Sequence, residues 1–161
     1  MLRTSVVRTR RGFTLIETNV ALFLLAIGFL GIAGLVLAGV NANSYNRNLS
    51  MADDLSVNLM EFWKSAEYAK VDSFLATCGT GCTARTYTTT ATPTYGDSQL
   101  NGALTDWKQQ VVQKLPYGKG TVTITKDKTT PYDTTWIVVT VEWKQKSTVY
   151  HSMKKLYRAD V

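Results

Sequence analysis

From Phe13 to Val40 the chain is predominantly apolar, with one carboxylate, Glu17, just inside the start of the run. The stretch exceeds the roughly 20 apolar residues needed to cross a bilayer as a helix. Gly28, Gly31 and Gly34 recur every three residues within it, and Gly39 lies near its end. Small residues in a membrane helix let neighbouring helices approach closely. They are also ordinary constituents of such helices, and the spacing by itself does not choose. After Val40 the pattern becomes one-sided. Leu49, Ala52, Leu55, Leu59, Phe62 or Trp63, and Ala66 follow helical spacing, with Asp53, Asp54, Glu61 and Lys64 between them. Asp53 and Asp54 are expected on the solvated side. No proline interrupts residues 13–70. The pattern therefore predicts one continuous helix, apolar all round at first and amphipathic over 41–71, roughly 80 Å long at about 1.5 Å per residue.

Residues 72–102 are rich in Thr, Ser, Gly and Asn and read as a long irregular loop, with a short β-pair near Arg85–Thr90. A helix is expected over 103–115, with Leu104, Trp107, Val111 and Leu115 on one face and Pro116 and Gly118 ending it. Strand signals occupy 119–158. Val122 and Ile124 share a face, and Ile137, Val139, Val141 and Trp143 make the better core face of the next strand. In the last strand Val149, His151, Met153 and Lys155 oppose Tyr150, Ser152, Lys154 and Leu156, and the pattern leaves its register open. Turns are expected at Lys126-Asp127-Lys128 and Lys144-Gln145-Lys146. A three-stranded antiparallel sheet must bury one face, and the apolar side of residues 49–66 is its natural partner. The fold class is α+β: a small antiparallel sheet packed on a long N-terminal helix, with the globular head over 72–161.

Charge changes this picture little. Of the 18 basic residues, four (Arg3, Arg8, Arg10 and Arg11) precede Gly12, leaving 14 basic against 12 acidic side chains beyond it. The basicity is thus concentrated in a leader, 1–12, and does not read as a nucleic-acid footprint. No further basic residue occurs before Arg47, so the positive-inside rule puts the N-terminus in the cytoplasm and the head on the other side. In an oxidising compartment the short loop Cys78-Gly79-Thr80-Gly81-Cys82 can close as a disulfide. The alternative is half a zinc site, but such sites need a second cysteine pair or added histidines, and His151 is the only histidine. No metal, cofactor or small-molecule substrate is expected. No paired catalytic residues or phosphate-binding glycine loop occur, and no enzyme activity is expected.

The junction carries the most specific signal. A basic leader is followed by Gly12-Phe13-Thr14-Leu15-Ile16-Glu17 and then by the apolar run. A carboxylate in membrane-spanning sequence is costly, by roughly 2.5 kcal/mol or more at the bilayer centre, and is a functional candidate by default. This junction resembles the processing site of type IV prepilins and of the pseudopilins of type II secretion. The resemblance implies cleavage between Gly12 and Phe13 by prepilin peptidase, N-methylation of the new Phe13 amine, and single-pass residence in a bacterial inner membrane before assembly into a surface pilus. It implies that Glu17, fifth after the cut, pairs with the free amine of a neighbouring subunit. An amine and a carboxylate attract strongly at low dielectric, and each is costly alone. Related pilins commonly carry a proline in this helix; this chain has none.

Two further features, the glycine-containing helix Leu25–Leu35 and Asp106-Trp107 leading into Leu115-Pro116 and Val139–Trp143, are similar to PilV-type minor pilins. That likeness implies a structural role: priming pilus assembly, with a place at the tip. The implied partners are other minor pilins and the major pilin through their N-terminal helices, prepilin peptidase and the inner-membrane assembly platform. A minor pseudopilin is the alternative. A DNA-uptake pilin is a third reading, but the alternating charges of the head do not favour a nucleic-acid partner.

Overall fold

In the computed structural model, residues 12–66, 68–76, 83–127 and 134–159 are described. The first helix, α1, runs Leu15–Ser65, 51 residues without a break. The chain divides into two units, 1–43 and 44–161. Every described residue of the first unit is exposed, its apolar side chains included. In the second unit, Ala52, Leu55, Ser56, Leu59, Met60 and Trp63 of α1 are buried, the three-and-four spacing that gives a helix one apolar face.

The expected single helix to residue 71 is divided. α1 stops at Ser65, and a separate helix, α2, spans Tyr68–Ala76. The reason lies far along the chain. Arg158 Nη1 donates to the carbonyls of Trp63 at 3.1 Å and Ala66 at 2.6 Å, satisfying acceptors that a continuing helix would have used. The break lets Val71, Phe74 and Leu75 of α2 join the same core.

Among the described residues the sheet has four strands, where the pattern indicated three over 119–158. β1 is Ala84–Thr88, β2 Lys119–Asp127, β3 Thr134–Gln145 and β4 Thr148–Ala159. They lie in the order β1-β2-β3-β4, all neighbours antiparallel. The fourth strand, β1, falls where the short β-pair near Arg85–Thr90 is expected within the Thr-rich stretch, and its partner is β2. Tyr87 of β1 faces inward beside Val122 and is 3 % exposed. Val122, Ile124, Ile137, Val139, Val141 and Trp143 form the rest of the buried face, as the alternation indicated. β3 and β4 meet at a two-residue turn, Lys146-Ser147, with Gln145 opposite Thr148. Lys146 takes a positive φ of 57° there. The open register of β4 is decided by contacts with α1. Ser152 Oγ donates to Asp53 Oδ1, and Tyr150 packs against Tyr45 with ring centroids 4.9 Å apart. That side therefore faces the core, and Val149, Met153 and Tyr157 are turned outward. Lys154 Nζ also lies 3.4 Å from Asp53. Asp53 is thus a packing residue rather than one of a solvated pair, while Asp54 is exposed.

The third helix, α3, spans Ser98–Lys114 and begins five residues before the expected 103. Asp97 is its N-cap, accepting from the Leu100 N–H at 2.9 Å. Asn101 holds the preceding loop by two bonds with Tyr95, at 2.8 and 2.7 Å. Leu100, Leu104, Trp107 and Val111 are buried. Trp107 Nε1 donates 3.0 Å to the Leu55 carbonyl of α1, and its ring lies against Gly120 of β2. A Cβ at Gly120 would come within 2.3 Å of Trp107 Cη2, so only glycine fits that packing. Arg85 Nη1 donates 2.9 Å to the Phe74 carbonyl at the end of α2, and its guanidinium lies 4.7 Å from the Tyr95 ring centre. Burial pushes the Tyr87 and Tyr95 hydroxyls above the usual tyrosine range, with Arg85 opposing the rise at Tyr95.

Candidate functional site

The residues singled out at the junction lie in sequence across the start of α1. Gly12, Phe13 and Thr14 precede α1, and Phe13 is 80 % exposed. Thr14 closes the helix start. Its carbonyl accepts from Glu17 N–H at 3.0 Å and from Thr18 N–H at 3.3 Å, and its Oγ1 lies 3.4 Å from Glu17 N. Thr18 Oγ1 in turn donates 2.8 Å to the Leu15 carbonyl. Glu17 sits in the first turn, where the unpaired N–H groups and the positive end of the helix dipole favour a carboxylate. The capping role of Thr14 was readable in the spacing Thr14-Leu15-Ile16-Glu17, a Ser/Thr followed three residues later by Glu.

A Cβ at Gly12 would meet nothing within 4 Å, and the same holds at Gly28, Gly31, Gly34 and Gly39. Packing among the described residues of this chain therefore does not require glycine at any of them. α1 is long and apolar enough to cross a membrane, and none of its apolar span is buried. Leu22, Phe23, Leu24, Phe29 and Leu35 are each more than half exposed. An unbroken apolar surface of this size on a protein needs a partner surface or lipid.

Cys78 and Cys82, the expected disulfide, lie outside the described residues, as does the leader to Arg11. His151 is exposed on the outer face of β4, opposite Glu142. Among the described residues no group of three or more His, Cys, Asp or Glu side chains is placed to hold a metal ion.

Residues 7–33 match the protein family described as the prokaryotic N-terminal methylation motif. The matched stretch contains the end of the basic leader, Gly12, Phe13, Glu17 and the first part of the apolar span. No curated protein and no solved structure matches the chain. The motif is the N-methylation motif of prokaryotic prepilin-like proteins, found at the start of type IV pilins and pseudopilins, which are structural subunits. It implies processing by prepilin peptidase and assembly with other pilins in general. With the long apolar helix it fits inner-membrane anchoring before assembly. The long N-terminal helix and small antiparallel sheet agree with the type IV pilin fold.

Proposed function

We propose that this chain is a minor pilin of a type IV pilus, of the PilV type, acting structurally to prime assembly and taking a place at the tip. The observation that carries the reading is the continuity of the methylation motif at 7–33 with a wholly exposed apolar helix leading to a small α+β head. In this reading prepilin peptidase cuts between Gly12 and Phe13, and the Phe13 amine is methylated. The exposed position of Phe13 before the first helical turn suits a cut there. Among the described residues nothing crowds Gly12, and in this reading the need for glycine comes from the protease, which requires close access to the backbone.

Glu17 is the assembly residue. As a subunit leaves the bilayer, its carboxylate pairs with the Phe13 amine of a neighbour, and the pair fixes axial stagger. The apolar surface of residues 13–40 then exchanges lipid for neighbouring helices, and the uncrowded glycines allow close approach. A disulfide between Cys78 and Cys82 belongs to the same reading. It would stiffen a short loop in an oxidising compartment.

Deletion of the gene, followed by measurement of sheared surface pili, twitching and type II exoprotein secretion, tests the proposal. Loss of pili with normal secretion is expected. Normal pili with failed secretion would make the chain a minor pseudopilin, and intact pili and secretion with lost DNA uptake would make it an uptake pilin.

A further inference from the structure

The stretch Thr86-Tyr87-Thr88-Thr89-Thr90-Ala91-Thr92-Pro93-Thr94 holds six threonines in nine residues, and the assembly role leaves it unused. Threonine-rich sequence with proline is the composition of O-glycosylated segments. The fold separates these threonines by what their hydroxyls do. Thr86 Oγ1 lies 3.1 Å from Thr123 Oγ1. Thr88 and Thr90 share a hydrogen bond of 2.7 Å. Thr89 is buried, and its Oγ1 accepts 2.9 Å from the Gly120 N–H. Thr92 and Thr94 are exposed, lie outside helix and strand, and among the described residues make no side-chain hydrogen bond. The proline between them fixes its own φ and biases Thr92 toward extended backbone. An exposed hydroxyl on extended chain, with proton and lone pairs free, is what a transferase needs in an acceptor.

The loop is nonetheless held in place. Pro93 and Tyr95 are buried, Asn101 bonds the Tyr95 backbone at 2.8 and 2.7 Å, and Lys108 Nζ donates 2.9 Å to the Ala91 carbonyl. Between the loop and α3 this leaves a cavity of about 320 Å³, lined by Thr92, Pro93, Lys108, Gln109, Val112 and Gln113. That volume falls at the small end of the range for ligand sites and has room for one sugar ring. Pro93 and Val112, the latter 56 % exposed, supply apolar surface. Gln109 and Gln113 supply amides that both donate and accept. A sugar ring offers the matching pair of surfaces, a C–H face and an edge of hydroxyls. Thr105 also borders the cavity, but it lies in α3 and its hydroxyl donates 2.7 Å to the Asn101 carbonyl.

We propose that Thr92 is a site of O-glycosylation and that the first sugar of the glycan seats in this cavity against α3. The donor is a sugar whose anomeric carbon is esterified to a diphosphate. Thr92 Oγ1 attacks that carbon as its bond to the diphosphate oxygen breaks. The diphosphate leaves with the bonding electron pair, and the hydroxyl proton passes to a base of the transferase. One C–O bond replaces another, and no oxidant or reductant is needed. The inference does not depend on whether the chain serves a pilus or a pseudopilus.

The test is mass spectrometry of the full chain purified in detergent from its native host, with electron-transfer fragmentation to locate the adduct. The expected mass exceeds that of the unmodified chain by whole anhydro-sugar units, carried on Thr92. Thr92→Val should lose the adduct, Thr92→Ser should keep it, and Thr90→Val should leave it unchanged. Thr90 and Thr92 are exposed, so the circular dichroism spectra of these variants should match the parent. A sugar-free chain, or an adduct that survives Thr92→Val, would overturn the proposal. Thermal melts read the seating separately. The glycosylated protein should melt above Thr92→Val, and Gln109→Ala/Gln113→Ala should remove most of that gap while the adduct stays. A gap that ignores the two glutamines would overturn the cavity as the seat of the sugar.

Discussion

Arg158, in the last strand, donates from Nη1 to the Ala66 carbonyl just past the end of α1, at 2.6 Å and across 92 residues of sequence. A second bond to the Trp63 carbonyl, at 3.1 Å, comes from the same nitrogen. The helix end and the edge strand of the sheet are thereby fixed by one side chain, and α2 is free to turn into the core. Arg158→Met keeps the aliphatic stem and removes the donors. A charged hydrogen bond to a partly buried carbonyl is worth about 1.5–3 kcal/mol, so the variant should lose about 2 kcal/mol in urea denaturation of the full chain in detergent. Unchanged stability would mean that solvent caps α1 equally well.

Gly120 and Trp107 are a second coupled pair. Gly120→Ala would put a methyl 2.3 Å from Cη2 and 2.7 Å from Cζ3 of the indole. The ring cannot retreat without breaking its bond to the Leu55 carbonyl. Overpacking of this kind costs about 1–3 kcal/mol. In a Trp107→Leu background the same glycine substitution should cost clearly less, since neighbours that share a clash are not additive. A double-mutant cycle of denaturation midpoints measures the difference. Equal costs in both backgrounds would show that the ring is not the obstacle.

Asp53 and Asp54 are adjacent but not equivalent. Asp53 accepts from the buried Ser152 hydroxyl and faces Lys154, whereas Asp54 is exposed. Asp53→Ala leaves the Ser152 hydroxyl without this acceptor and should cost about 1–2 kcal/mol. Asp54→Ala should stay within about 0.5 kcal/mol of the parent. Thermal melts of the two variants side by side decide the matter; similar melting temperatures would count against the assigned role of Asp53.

At the junction, Glu17→Ala is expected to be cleaved normally yet enter pili poorly. The bonds that close the helix start use the Glu17 backbone N–H and Thr14, so removing the carboxylate leaves them in place. Only the dipole contribution, about 0.3–1 kcal/mol, is lost from the isolated helix. Gly12→Glu should instead accumulate uncut precursor, heavier by the leader on mass spectrometry. Immunoblots of sheared pili measure incorporation, and full incorporation of the Glu17→Ala protein would remove the pairing role from that residue.

The periodicities of this chain were enough for most of its elements. Ile137, Val139, Val141 and Trp143 alternate in sequence and are all buried, because a strand's side chains alternate whatever packs on it. The apolar run and the motif at its start were equally plain, since each is carried by contiguous residues. Three features were not local. A short β-pair near Arg85–Thr90 is legible in the sequence, but the partner of β1, the edge of β2, and the buried place of Tyr87 come from distant residues. α1 ended at Ser65 without a proline or glycine because Arg158, 92 residues beyond Ala66, takes the carbonyls there. The register of β4 was open, its two faces being similarly mixed, until Ser152 met Asp53 and Tyr150 met Tyr45. Sequence by itself determined the long apolar helix, the methylation motif at its start and the inward face of the central strand, because each depends on spacing along one segment. Tertiary structure alone decided where α1 ends, which strand β1 pairs with and how β4 is set. Each of those depends on a bond or contact between segments far apart in the chain.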